Sequence, residues 1–442
     1  MPSDRRFRAW SHAVRPAVVA ALWAATMAPQ AAEPADGATA AALIRGLAAG
    51  SLAARDEAEQ GLLALGPAVL PEIAAARSSA TGEAAFRLDG IQRQLERQAA
   101  ERAIEAAVVT FDWRAVPVRQ CLGDVFARTG NTIPLDDDVA RGAAGGRPVT
   151  ERLARATFWE AVDDLLDRAA LDLEIAPEPP GLRIVAAQPG LEGGRPPSVA
   201  SGPFRIAVAR VEPIGAGTAA RLVLRVAWEP RLEPFLVRLP ARTIVAEGPA
   251  GESVAAAHRA ATLEATISPR RAWVEMPVPL ARPETPLEAL GMLRGTLTVW
   301  LAGMEQAFVF PAGGAADTVR IADAEVRLLE AATRPDGLLV RVRVTYGSPS
   351  EALASHQTWL QDRRVAASLP DGRPLEWLEQ RVEARTDRGL TAAVLFAAPP
   401  ELPAATRPFP PVTISWRLPI AIHEIPVDFA VRDIPLPAAG TP

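Results

Sequence analysis

The spacing of apolar positions changes character three times along the chain. Over 38–107 it is helical. Segments 40–47 and 51–65 carry apolar stripes, Gly66-Pro67 interrupts them, and Val69, Leu70 and Ile73 begin the next face with Pro67 at a first-turn position. Thr81 is placed to cap a longer helix running through Phe86, Leu88, Ile91, Leu95 and Ile104. Over 108–187 the period alternates between two and 3.6. VVTFDW (108–113) alternates as a strand does. Val118, Cys121, Leu122, Val125 and Phe126 fall at helical spacing before Gly130, and NTIPL (131–135) predicts a short strand. Thr157 then caps a helix over 158–169 with Val162, Leu165 and Leu166 on its buried stripe. LDLEIAP and GLRIVAA follow as two strands around the turn at 178–181.

Beyond a Gly/Pro-rich linker at 188–202 every segment alternates. FRIAVARVE, RLVLRVAW, FLVRLP, RTIVAEG, ATLEATIS, AWVEMPVPL, GTLTVWLA and QAFVFP are short and separated by turn residues. After 313–317 the pattern starts again. RIAVARVE (205–212) recurs as RIADAEVR (320–327), RLVLRVAW (221–228) as LLVRVRVTY (338–346), and LTVWLAGMEQAFVFP (297–311) as TISWRLPIAIHEIPVDF (413–429), at spacings near 115 residues. The expectation is an α+β multidomain chain. It has a helical segment at 38–107, a small α/β domain at 108–187, a linker at 188–202, and two tandem antiparallel β-sandwich domains at 203–312 and 318–437.

Two stretches resemble known families. The run TFDWRAVPVRQCLGDVFARTGNTIPLDDDVARG…VTERLARATFWEAVDDLLDRAALDLEI resembles the small α/β domain at the N-termini of secretins and some TonB-dependent receptors. That resemblance implies a protein–protein interaction module of the cell envelope. It carries over neither pore nor receptor, because the long alternating barrel strands of those proteins are not found downstream. AARDEAEQGLLALGPAVLPEIAAAR resembles a HEAT-type helical hairpin, for which a small helical bundle is the competing reading.

The N-terminus changes the picture of where the chain acts. Arg5, Arg6, Arg8 and Arg15 precede the apolar run PAVVAALWAATM (16–27), the pattern of an export signal ending near residue 32. The expected location is periplasmic, cell-envelope or secreted, with no transmembrane span and no lipidated cysteine. The net charge of −5 argues against nucleic acid as the main partner. Every basic side chain outside histidine is arginine, as composition bias in a GC-rich genome would give.

Residues suited to catalysis are sparse. Cys121 lies on an apolar stripe and reads as an inert buried thiol. His12 falls in the signal, His258 stands alone, His356 follows Ser355 without a nucleophile elbow, and His423-Glu424 is expected at a solvated hairpin tip. Asp136-Asp137-Asp138 lacks the spacing of a calcium loop and reads as a solvated turn. Asp163 and Asp167, one turn beyond Glu160, form an acidic outer helix face that reads as solvated, and that could meet basic residues if the domain docks a partner. Trp228, Trp300 and Trp416 sit in alternating strands as core, whereas Trp359 and Trp377 are the candidates for ligand contact. No catalytic residue, metal set or cofactor is assigned. The leading expectation is a non-enzymatic envelope protein with a protein partner. The alternative is an extracellular carbohydrate-binding or carbohydrate-degrading protein, which requires exposed tryptophans. A calcium-stabilised adhesion array would require acids converging at domain junctions.

Overall fold

The computed structural model describes residues 37–77, 79–176, 181–187, 195–214, 219–267, 271–281, 287–302, 305–310, 318–334, 337–354, 359–361, 363–398 and 411–436. The export signal, His12, His356, most of the turn at 178–181 and the first half of the linker lie outside them. The fold is mixed α and β with several sheets.

Four helices open the described chain: α1 (Gly37–Gly46), α2 (Leu52–Leu65), α3 (Leu70–Arg77) and α4 (Gly82–Ala103). The Ser51 hydroxyl caps α2 by accepting from the Ala54 amide at 3.2 Å. Gly66, at φ 74°, takes the left-handed turn that ends it. Leu47, Leu62, Ile73, Leu88 and Leu95 share one small core. The far end of α4 leaves that core for the β half. Ala100 is buried there, Glu96 accepts from the Ala322 amide at 2.7 Å, and Arg97 pairs with Asp323 at 3.3 Å.

The next module contains β1 (Val108–Pro117), α5 (Val118–Thr129), a one-turn α6 (Asp137–Ala140), β2 (Pro148–Thr157), α7 (Phe158–Ala169), β3 (Leu171–Ala176) and β4 (Gly181–Ala186). β1 pairs antiparallel with β2 and β3 with β4, while Leu135 joins Ile184 in a parallel bridge. α7 begins with a complete capping box between Thr157 and Glu160. The module is an internal duplication. Ala115 (φ 54°) and Arg155 (φ 55°) occupy the same left-handed bulge. Each donates its amide to the threonine hydroxyl of the facing strand, Ala115 to Thr150 at 2.9 Å and Arg155 to Thr110 at 3.1 Å. Gly130 (φ 71°) and Ala170 (φ 47°) end the two helices the same way. Both pairs lie 40 residues apart.

Twenty-two strands in all are described, eighteen of them in the β half. The first are β5 (Ser198–Ser201), β6 (Phe204–Ile214), β7 (Ala219–Trp228), β8 (Pro234–Pro240), β9 (Val245–Glu247), β10 (Ser253–Val254), β11 (Thr262–Thr266), β12 (Trp273–Leu280) and β13 (Ala289–Ala302). They continue with β14 (Glu305–Phe310), β15 (Thr318–Ile321), β16 (Ala324–Arg334), β17 (Gly337–Tyr346), β18 (Val365–Ser368), β19 (Trp377–Thr386), β20 (Gly389–Ala397), β21 (Thr413–Pro419) and β22 (Ile422–Pro435). In a first unit the sheet β12-β7-β6-β5 encloses a core with β10-β9-β13-β8-β11, to which β22 adds along the other edge of β13. In a second unit β15-β16-β17-β20-β19 encloses a core with β14-β21-β18.

The division between these units corrects the sequence reading. Spacing puts 305–310 in the first unit and 422–435 in the second, but the pairing crosses over. β13 runs against β22 from Ala289↔Pro435 to Ala302↔Ile422, and β14 against β21 from Glu305↔Pro419 to Phe310↔Ile414, without a change of register. Two antiparallel ladders in one register, with a bend at Ile420 between them, therefore form a ribbon that serves both units. Alternation specifies which face of a strand is buried but not which strand lies beside it. Leu293 and Leu297 of β13 with Val427 and Phe429 of β22 enter the first core, while Phe308 of β14 with Ile414 and Trp416 of β21 enter the second.

Three smaller corrections follow from the same ladders. β6 pairs β7 from Phe204↔Trp228 with a bulge after Val208, and β16 pairs β17 from Ala324↔Tyr346 with a bulge after Leu328. Thus β16, not RIADAEVR, is the counterpart of β6, and the sequence match was out of register. The expected linker contains β5. His423 and Glu424 lie inside the ribbon opposite Leu301 and Trp300 rather than at a hairpin tip.

Candidate functional site at the three-way junction

The residue that ties the helices, the α/β module and the β half together is Glu229, just after β7, and it is fully buried. Its carboxylate accepts from the Ala107 amide at 2.8 Å, from Asn131 Nδ2 at 2.9 Å and from Arg231 Nε at 2.7 Å. Asn131 Oδ1 in turn accepts from the Arg231 amide at 3.1 Å, and the Arg231 guanidinium donates to the carbonyls of Ala103 and Glu105. Burial pushes the Glu229 carboxyl above its ordinary value, opposed by Arg231 and the other donors. The end of α4, the segment after α5 and the loop after β7 thus share one buried charged network.

A second contact seats α7 on the outer face of β6. Asp163 accepts from Arg205 Nε at 2.9 and 3.0 Å and pairs with Arg195, which also pairs with Asp167. Arg205 is 5% exposed and donates to Ser198 Oγ at 2.8 Å. Trp159 Nε1 donates to the Pro203 carbonyl at 3.1 Å. Rather than lying wholly in solvent, the acidic face of α7 meets basic residues of this same chain. A double-mutant cycle on Asp163→Ala and Arg205→Ala, followed by urea unfolding, is expected to give a coupling energy of ~0.5–3 kcal/mol, against zero for an idle surface pair.

The two remaining candidates are not open platforms. Trp359 is 5% exposed, stacks on Phe235 with centroids 4.0 Å apart, and donates Nε1 to the Ala352 carbonyl at 2.6 Å. Trp377 is half-buried against the second core, with Arg364 4.7 Å over its ring. Cys121 is buried, and burial with the nearby Asp124 charge pushes its thiol up to about 11. His258 is exposed, and burial lowers His423 against the pull of Glu101 and Asp323. Asp136 caps α6 by accepting from the Asp138 amide at 2.9 Å, and Asp137 pairs with Arg141. Among the described residues no group of three His, Cys, Asp or Glu side chains converges as a metal set, and no helix is long and apolar enough to cross a membrane.

Beside Glu229 the α/β module and the two β units leave a cleft of about 1070 Å³. Ile133, Leu135 and Leu182 of the module form one wall, Leu232, Phe235 and Ile267 of the first β unit another, and Trp359 and Arg363 of the second β unit close it. Its charged residues are mostly paired within the chain: Arg183 with Asp136 at 4.0 Å, and Arg363 with Glu233 at 3.5 Å. Arg271 lies 5.4 Å over the Trp273 ring. A cleft of this size between domains, lined by both apolar and charged side chains, is where proteins commonly take ligands and peptide segments. Of these lining residues the sequence singles out only Trp359 and the acidic turn at Asp136-Asp137. The signal available was Trp228-Glu229-Pro230, a carboxylate placed directly after a buried strand.

No family model and no curated protein matches the chain. Among solved structures it is similar to the conserved domain protein from Bacillus anthracis at 9% identity, covering 53% of this chain and 89% of that one with a TM-score of 0.16, a likeness that carries no argument about fold or function.

Proposed function

We propose that this protein is an exported, non-enzymatic component of the cell envelope that acts through protein–protein contact. In this reading 108–187 is a secretin-N-like module mounted on a pair of tandem β-sandwiches, and the junction cleft receives a segment of the partner. The observation that carries it is that the cleft exists only where the module and both β units meet. The covered ring faces of Trp359 and Trp377 give the carbohydrate reading no comparable support.

Thr132 is exposed on the cleft wall, so Thr132→Trp fills the cleft without entering a core. With the mature chain as bait on a native envelope fraction, a partner captured by the wild type is expected to be lost with Thr132→Trp at unchanged circular dichroism. Equal capture by both would place the contact elsewhere and sink the cleft reading.

A further inference from the structure

The corresponding sheet faces of the two β units carry different charge arrangements. In the first, Arg225 of β7 stands between Ala207 of β6 and Glu275 of β12. Glu275 accepts from Arg225 at 3.1 Å and from Arg210 at 2.6 Å, so the row is neutralised. Counting from the pairings that open each sheet, Phe204↔Trp228 and Ala324↔Tyr346, the matching row of the second unit is Arg327, Arg343 and Thr391. A guanidinium has replaced a methyl group, and a hydroxyl has replaced the carboxylate.

Two arginines consequently face each other directly across β16 and β17, both exposed. The Arg327 side chain makes no hydrogen bond or ion pair among the described residues. Arg343 donates from Nε to Thr391 Oγ1 at 3.2 Å, which fixes its guanidinium against the sheet. The carboxylates that neighbour this row in the strand ladders are engaged, Glu325 by Arg320 and Glu330 and Glu383 by Arg341. Like charges directly opposite in an antiparallel pair are destabilising, with Cβ atoms only ~4.5–5.5 Å apart. Among the described residues Arg327 and Arg343 are exposed while Thr391 beside them is buried, and in the first unit α7 is seated on the corresponding sheet through Arg205.

We propose that Arg327 and Arg343 form a binding site for a doubly charged tetrahedral oxyanion, a phosphate or phosphate monoester, with Thr391 as a positioning residue. Each guanidinium presents paired N–H groups that match an oxyanion edge. A dianion neutralises both, whereas one carboxylate leaves a charge over. The site is separate from the junction cleft and stands or falls independently of the partner reading.

The test uses the full mature chain. Thermal unfolding and calorimetric titration are run with sodium phosphate against sodium chloride at matched ionic strength, and co-sedimentation with phosphatidylcholine vesicles with or without phosphatidic acid. Phosphate is expected to raise the wild-type Tm beyond chloride. Arg327→Glu places a carboxylate opposite Arg343. It is expected to raise the Tm without phosphate and to weaken phosphate binding at least about tenfold, the loss of one charge-assisted contact. Arg327→Ala, which restores the residue of the first unit at an exposed position, carries the same loss of binding if the glutamate variant fails to fold. A response to free phosphate alone identifies a soluble ligand, and one to phosphatidic-acid vesicles alone a surface-borne monoester. No response to either in the wild type, or an undiminished response in both variants, overturns the proposal.

Discussion

A chain ending at residue 421 is expected to lose its first β unit outright. The truncation removes β22, which covers the whole length of β13 and buries Val427, Phe429, Val431 and Ile434. At ~1.5–3 kcal/mol for each large apolar side chain, the loss is about 6–12 kcal/mol. That is comparable to the entire stability of an ordinary domain, ~5–15 kcal/mol. The second unit weakens with it, because Phe235, Leu236 and Trp300 of the first unit belong to the second core. Near-ultraviolet circular dichroism and limited proteolysis report the outcome. Native-like signals from the truncated chain would show that β22 is dispensable. The complementary experiment leaves every strand in place. A protease site introduced between 311 and 317 and then cut is expected to give two pieces that elute together and separate only in denaturant. Each piece supplies a strand of the other's sheet.

Replacing Glu229 with alanine is expected to lower stability by about 3–5 kcal/mol, the usual consequence of removing one partner from a buried charged network. Arg231, Asn131 and the Ala107 amide would be left in the junction without their acceptor. A urea midpoint within error of the wild type would mean that the junction carries no such load. The pH dependence has a definite sign. Because burial raises the Glu229 carboxyl above 4.5, the folded chain holds this proton more tightly than the unfolded one. The associated stability is complete below the unfolded value and is lost as pH rises through the folded value. Glu229→Gln cannot titrate, so the stability difference between wild type and this variant is expected to change with pH across that interval and to be flat well above it.

What the sequence disclosed was local. Helix 158–169, its cap at Thr157 and its buried stripe coincide with α7, because periodicity and capping depend on neighbours within a turn or two. The strands of the β half were legible for the same reason. Their partners were not. Nothing in QAFVFP distinguishes a strand that returns to β13 from one that runs on to β21. The 40-residue duplication was present as Val109-Thr110 and Val149-Thr150, but its diagnostic feature is a left-handed bulge at Ala115 and Arg155, residue types that do not advertise it. Asp163 stood out as acidic, yet the identity of its basic partner depends on a contact across 42 residues. Glu229 follows a strand as any polar residue can, and only its complete burial sets it apart.

The ribbon also constrains how such a chain can change length. Side chains alternate along it with a period of two, and four rows of them point into two different cores. A single residue added to one strand near its midpoint sends every side chain beyond it to the opposite face, solvent for core. The tolerated alteration is a matched one, made in both strands at once, and even in number if the inward faces are to be kept. Two segments more than a hundred positions apart in the sequence are therefore bound to lengthen or shorten together, and the spacing of the two β units is set by the number of steps between them.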